Sequence, residues 1–247
     1  MRDLALSIKK CTKEYDDICK ELENMPEGRL VRRGNYFSQV IGNKNIVITK
    51  NIPLIKSLCR KKYLQARKKK LEQNLTATTR SRRLVDITPQ LIIKELPTTY
   101  QNLPQNYFYH PTVEEFLAKE YPTNTYKSEN KSYHSNSGIP LRSKSELIIA
   151  NELEAYDIPY RYEYPIKMGT QIKYPDFTVM NPYTGKYIIW EHFGAFHKEG
   201  YEANMTQKMK AYLARGYKPF ETIIYTFEFD TQTPGRIKEL IETIILQ

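Results

Sequence analysis

Lys173 to Gly194, KYPDFTVMNPYTGKYIIWEHFG, predicts two strands joined by a tight turn, and the rest of the chain is organised around this stretch. In YPDFTVM, β-branched and aromatic residues surround a single acid, Asp176. NPYTGK supplies Pro and Gly where the chain must reverse, and KYIIWEHF follows as an almost wholly apolar strand carrying Glu191. A carboxylate in a buried strand is costly unless it is paired, hydrogen-bonded or bound to a cation. If the turn centres on Tyr183 and Thr184, cross-strand partners sum to 367, and Asp176 falls opposite Glu191 on one face. Two carboxylates so placed repel each other unless a cation lies between them. Oxygen-only ligands suit Mg²⁺ or Mn²⁺, and the lack of a Cys/His cluster argues against structural zinc.

The flanking segments predict regular structure on either side. In LRSKSELIIANELEAYDIPY, Glu146, Leu147, Ala150 and Leu153 recur at helical spacings, with Ser143 as N-cap and Glu146 in the capping-box position. Capping is thus a sufficient structural reason for Glu146. EANMTQKMKAYLARGY reads as a helix stopped near Gly216, ETIIYTFEF as another apolar strand, and residues 234–247 as a final amphipathic helix. From residue 142 onward the expected order is helix, three strands, helix, strand, helix.

This order and these acids resemble the PD-(D/E)XK nuclease superfamily over residues 139–247. The resemblance implies an α/β fold with a restriction-endonuclease-like αβββαβ core, a mixed sheet flanked by helices. Glu146 takes the place of the acid on the first core helix. Pro175-Asp176 matches the PD, and Glu191, fifteen residues later, matches the second acid. Two positions beyond Glu191 the family has a lysine, and this chain has Phe193. That lysine activates water or steadies the developing negative charge, a role that needs a cation near the phosphate. Lys208 and Lys210, on the helix after Glu191, are the substitutes the resemblance implies. Lys173 and His192 are expected to point to the opposite face of their strands, away from the acids.

What the resemblance implies is a Mg²⁺- or Mn²⁺-dependent deoxyribonuclease. Asp176, Glu191 and Glu146 would hold the metal, with Lys208 or Lys210 at the phosphate. The alternative is a nuclease-like fold kept as a DNA-binding module without turnover, inside a larger nucleic-acid or defence complex. Phe193 is the feature that favours it.

The amino-terminal part predicts a separate basic α+β module, residues 1–96, joined by a connector over 97–138 to the nuclease-like domain over 139–247. Residues 2–24 form one helical stripe, 28–51 a β-meander with turns at Gly34 and Gly42, and a long helix runs from Asn51 to about Leu75. A further short helix is expected over Ile87 to Leu96. Of the net charge of +10, residues 1–94 hold 22 Lys/Arg against 9 Asp/Glu, while the remainder is slightly acidic. From Lys56 to Arg83 there are eleven basic residues and one acid. A solvated helix face explains most charge runs, but one acid among eleven bases is the footprint of a polyanion binder. Arg60, Lys61, Lys62, Arg67, Lys68, Lys69, Lys70, Arg82 and Arg83 are the expected nucleic-acid contacts, to DNA or to RNA, and a homodimer is compatible with the composition. No run approaches about 18 apolar residues, and the opening MRDLALSIKKCTKEY has no signal-like apolar region, so no membrane partner is expected. Three cysteines without CxxC spacing read as reduced thiols in a cytoplasmic protein.

Overall fold

The structure is a computed structural model that describes residues 2–79, 86–122, 124–125, 128–194 and 201–246. The chain divides into two compact units, Met1–Tyr109 and His110–Gln247.

The first unit is helical with one small sheet. Helix α1 (Arg2–Glu23) packs on the long α2 (Ile52–Thr79). Between them in sequence, β1 (Arg29–Arg33), β2 (Tyr36–Ile41) and β3 (Lys44–Val47) form an antiparallel sheet in the order β1-β2-β3. Its two turns place Gly34 and Gly42 at positive φ, the conformation that glycine adopts without a Cβ clash. Asn51 Oδ1 accepts from Leu54 N at the start of α2, as an N-cap should. Helices α3 (Pro89–Lys94) and α4 (Thr98–Gln101) follow, and the Tyr100 hydroxyl accepts from Leu30 N, tying α4 to β1.

The expected connector over 97–138 is no separate piece. Tyr100 and Phe108 are core residues of the first unit. Helix α5 (Thr112–Ala118) belongs to the second, where His110 N donates to Pro182 O and Tyr121 OH to Tyr162 O. The polar composition hid these anchors, because a few buried aromatics suffice to dock a polar segment.

The second unit is a mixed α/β layer structure. A short ladder of β4 (Tyr133–His134) and β5 (Pro140–Leu141) leads into α6 (Lys144–Ala155). The central sheet contains β6 (Tyr160–Tyr162), β9 (Phe177–Met180), β10 (Tyr187–Phe193) and β11 (Ile223–Phe227), in the order β11-β10-β9-β6. Pairings β6–β9 and β9–β10 are antiparallel, and β10–β11 is parallel. A parallel neighbour requires a crossover, which α7 (Tyr201–Leu213) supplies. An extra hairpin, β7 (Ile166–Met168) with β8 (Gln171–Lys173), interrupts the three expected consecutive strands. The final helix is also broken up, into α8 (Glu228–Gln232), α9 (Arg236–Leu240) and a π-helical turn over Ile241–Ile245.

The strand–turn–strand stretch pairs in the expected register. Tyr187 faces Met180 and Trp190 faces Phe177, each pair summing to 367. Asn181 fixes the turn: its Oδ1 accepts from Tyr183 N and Thr184 N, and Gly185 takes the positive φ that closes it.

Both sheet faces are covered. Ile189 and Ile223 pack with Tyr212 of α7 and Met168 of the hairpin. Alternation sends Trp190 and His192 to the opposite face, where Ile149, Ala150 and Leu153 of α6 are fully buried. Each strand buried on both faces reads as a near-continuous apolar run, which is why KYIIWEHF lacks polar alternation.

Candidate active site

Glu191, near the end of β10, is 0% exposed. Its two oxygens are both engaged by α7. Oε1 accepts from the Tyr212 hydroxyl at 2.5 Å, and Oε2 is paired with the Lys208 ammonium. Lys208 and Tyr212 are four residues apart, so a regular helix presents both to the same strand. Burial, and then the Asp176 charge, push the Glu191 carboxyl up to about 8 despite Lys208. Burial disfavours the Lys208 ammonium, yet Asp176 and Glu191 outweigh it and raise Lys208 above the ordinary lysine value.

Asp176 stands just before β9, half-buried, and its Oδ2 accepts from His192 N at 2.6 Å. The register that pairs Trp190 with Phe177 carries Asp176 alongside Glu191 one step further on. Glu146, in the first turn of α6, is also buried. Ser143 is its helix's N-cap, its Oγ accepting from Glu146 N. The Glu146 carboxylate does not complete the capping box; its Oε2 accepts from Tyr162 OH at 2.7 Å and Arg142 N at 2.9 Å. Burial and then the Asp176 charge raise its pKa. One carboxylate, Asp176, is therefore felt by both glutamates.

The two candidate lysines separate. Lys208 is in the site, while Lys210, two residues on, is exposed on the other side of α7. Phe193 occupies the expected lysine position as a buried ring, stacked on Tyr225 at 5.8 Å and beside Phe227. The ammonium thus comes to this sheet face from α7. Tyr212 was not anticipated, although its spacing of four from Lys208 was a signal available in the sequence.

His192 lies on the far face, as alternation predicts. Its Nδ1 is 3.1 Å from Thr226 Oγ1, which also accepts from Trp190 Nε1 at 2.9 Å. Burial lowers its pKa, and Nε2 stands 3.6 Å from Glu228 Oε2.

Three carboxylates suit a hard divalent cation in donor chemistry. Among the described residues they do not form a cluster of three ligating groups. Mg²⁺ needs no such cage, since it usually keeps several waters and binds through one or two carboxylates and substrate phosphates. Asp176 accepts from His192 N through Oδ2, and the Glu146 carboxylate is held by Tyr162 OH, Arg142 N and the Ser143 hydroxyl. In donor chemistry these carboxylates fit such an ion, while both oxygens of Glu191 are engaged by Lys208 and Tyr212.

The basic block of α2 divides into two groups. Arg60, 3% exposed, pairs through Nε and Nη2 with both oxygens of Glu21 and donates to Phe108 O. Arg67, 2% exposed, pairs with Glu14 and donates to Ile87 O and Tyr63 OH. Lys70 pairs with Glu95 and donates to Asp86 O. These three cations are internal, so the expected nucleic-acid contact does not extend to them. Lys61 donates to Pro26 O, and Lys68 lies over the Tyr15 ring, both half-buried. Lys69 is exposed and Lys62 half-exposed, and neither makes an ion pair among the described residues. Arg82 and Arg83 lie outside the described residues. No helix among the described residues is long and apolar enough to cross a membrane.

Comparison of the chain with protein-family models, with curated proteins and with solved structures yields no match.

Proposed function

We propose that the second unit is a metal-dependent nuclease of the PD-(D/E)XK type, hydrolysing phosphodiester bonds of DNA. The observation that carries the reading is the Lys208–Glu191 pair beside Asp176, a cation delivered by α7 to the sheet face where Phe193 leaves none. The order of helix, antiparallel strands, crossover helix and parallel strand supports the reading, with the β7–β8 hairpin as an insertion. A dead site has no need to retain a fully buried carboxylate at the cost of its desolvation.

In this reading Asp176 and Glu191 would hold Mg²⁺, with Glu146 orienting the site. The ion, when bound, lowers the pKa of a water and polarises the scissile phosphate. Lys208 steadies charge on the phosphate as a cation delivered from α7. Tyr212 holds Glu191 Oε1 in place while Lys208 moves. Phe193, packed on Tyr225, keeps water off the floor of the site. Lys62 and Lys69 on α2 supply sequence-independent attraction to the phosphate backbone.

A second reading, a DNA-binding module without turnover, draws on the engagement of both Glu191 oxygens. Cleavage of labelled linear and circular DNA with Mg²⁺, Mn²⁺ or EDTA, comparing wild type with Asp176→Ala, separates the two. Metal-dependent products that vanish in the variant support the nuclease. Binding with no cleavage under any metal supports the module.

A further inference from the structure

A cavity of about 600 Å³ opens beside the sheet-edge strand β6, lined among others by Tyr121, Lys131, Arg161, Tyr162 and Glu163. Two acids line it, Glu120, which is exposed, and Glu163, which is buried and neutralised. Glu163 pairs with Lys131 at 2.5 Å and with Arg142 at 2.7 Å. Arg161 is different. It is 5% exposed, and its guanidinium carbon lies 5.1, 4.9 and 5.3 Å from the ring centroids of Phe116, Tyr121 and Tyr164. No acid and no hydrogen-bond acceptor meets it among the described residues, and its Nε is buried without a partner. Thr178, its cross-strand partner, likewise has a buried Oγ1 without one.

Aromatic rings cover the faces of a guanidinium but give its N–H edge nothing to donate to. A permanently charged group in this state calls for an anion, and the planar fork matches the oxygens of phosphate. We propose that this cavity is a phosphate-binding subsite in which Arg161 donates to the phosphate of a nucleotide.

Cross-strand pairing puts Arg161, Thr178 and Ile189 on one sheet face, which alternation shows to be the face of Glu191. Phosphate binding at Arg161 stands without any catalytic activity. Only its role as the seat of a nucleotide flanking the scissile bond rests on the proposed nuclease.

Calorimetric titration of the full chain in EDTA tests the subsite apart from cleavage. The ligands are adenosine 5′-monophosphate, adenosine, inorganic phosphate, and a single-stranded oligonucleotide with and without a 5′-phosphate. The monophosphate should bind where adenosine does not. Arg161→Gln should weaken it at least about tenfold, while Lys210→Met, exposed on α7, should not weaken it. Tighter binding of the phosphorylated oligonucleotide than of the monophosphate would identify a strand as the source. The reverse order would identify a free nucleotide. If Arg161→Gln lowers the Tm, Lys119→Glu on the exposed rim of the cavity replaces it, with a severalfold loss expected. Failure of every phosphate ligand to bind, or equal binding to wild type and to the folded variant, would overturn the assignment.

Discussion

The ammonium of Lys208, on α7, is paired with Oε2 of Glu191, a carboxylate on β10 with no solvent exposure. A buried acid and a crossover-helix lysine are brought together by the parallel β10–β11 connection, because α7 must cross the face that Glu191 occupies. The pair therefore joins fold to chemistry: removing either partner changes both stability and the site.

Lys208→Met should lower single-turnover DNA cleavage by about a hundredfold or more, the scale of losing one preorganised donor to a developing anion. It should also destabilise the unit by about 1–3 kcal/mol, since Glu191 Oε2 is left buried without its hydrogen-bond partner. Lys210→Met, on the exposed side of α7, should change cleavage by no more than about twofold and stability by about 0.5 kcal/mol. Rapid-quench kinetics and urea unfolding check both. Equal losses in the two variants would remove Lys208 from the chemistry.

Stability should fall as pH rises through neutrality. Glu191 titrates from an ordinary value of 4.5 when unfolded to about 8 when folded, so the folded chain keeps a proton that the unfolded chain releases across that interval. Its contribution is complete below 4.5 and is lost as pH approaches 8. The slope is at most about 1.4 kcal/mol per pH unit for one proton. Glu146, also raised by burial, adds in the same direction. Urea midpoints across this range should decline for wild type and flatten in Glu191→Gln. A wild-type curve already flat would contradict the raised value.

Thr226→Val tests the far face of the sheet. One hydroxyl serves both Trp190 Nε1 and His192 Nδ1, and valine matches its shape but not its polarity. The variant should lose about 1–3 kcal/mol, the cost of leaving buried polar groups unpaired, and keep cleavage within about twofold. Trp190 is the chain's single tryptophan, so its fluorescence follows the same transition locally. Loss of cleavage without loss of stability would place His192 and Thr226 in the chemistry.

Much of this was legible in the sequence, for definable reasons. The Asn-Pro…Gly turn set the β9–β10 register because strand alternation has a fixed period and the turn length leaves no slack. That register placed Asp176 alongside Glu191. The choice between Lys208 and Lys210 was not made, although two helical positions lie on nearly opposite sides and only Lys208 has Tyr212 four residues on. The β7–β8 hairpin was missed because its strands are three residues each, too short for a period to show. The buried arginines were missed because charge was counted without phase. Arg60, Tyr63, Leu64, Arg67, Lys70 and Leu71 recur at three and four along one stripe of α2, all buried. Glu14 and Glu21 on α1 repeat the seven-residue spacing of Arg67 and Arg60, which was the available signal.

That phase argument yields a contrast within the basic helix. Arg67→Ala would leave Glu14 without its counter-charge and Ile87 O and Tyr63 OH without a donor, so the first unit should lose about 3–5 kcal/mol. Lys62→Ala combined with Lys69→Ala touches no ion pair among the described residues, so stability should stay within about 0.5 kcal/mol. If these two lysines meet phosphates, the double variant should reduce the slope of log affinity against log salt by about 2, roughly one for each phosphate no longer neutralised. Fluorescence anisotropy with a labelled duplex over a salt series measures that slope, and thermal unfolding measures the stability. An unchanged slope would mean that the surface charge of α2 does not hold DNA. An arginine variant that kept its stability would mean that Arg67 is not the structural cation its geometry describes.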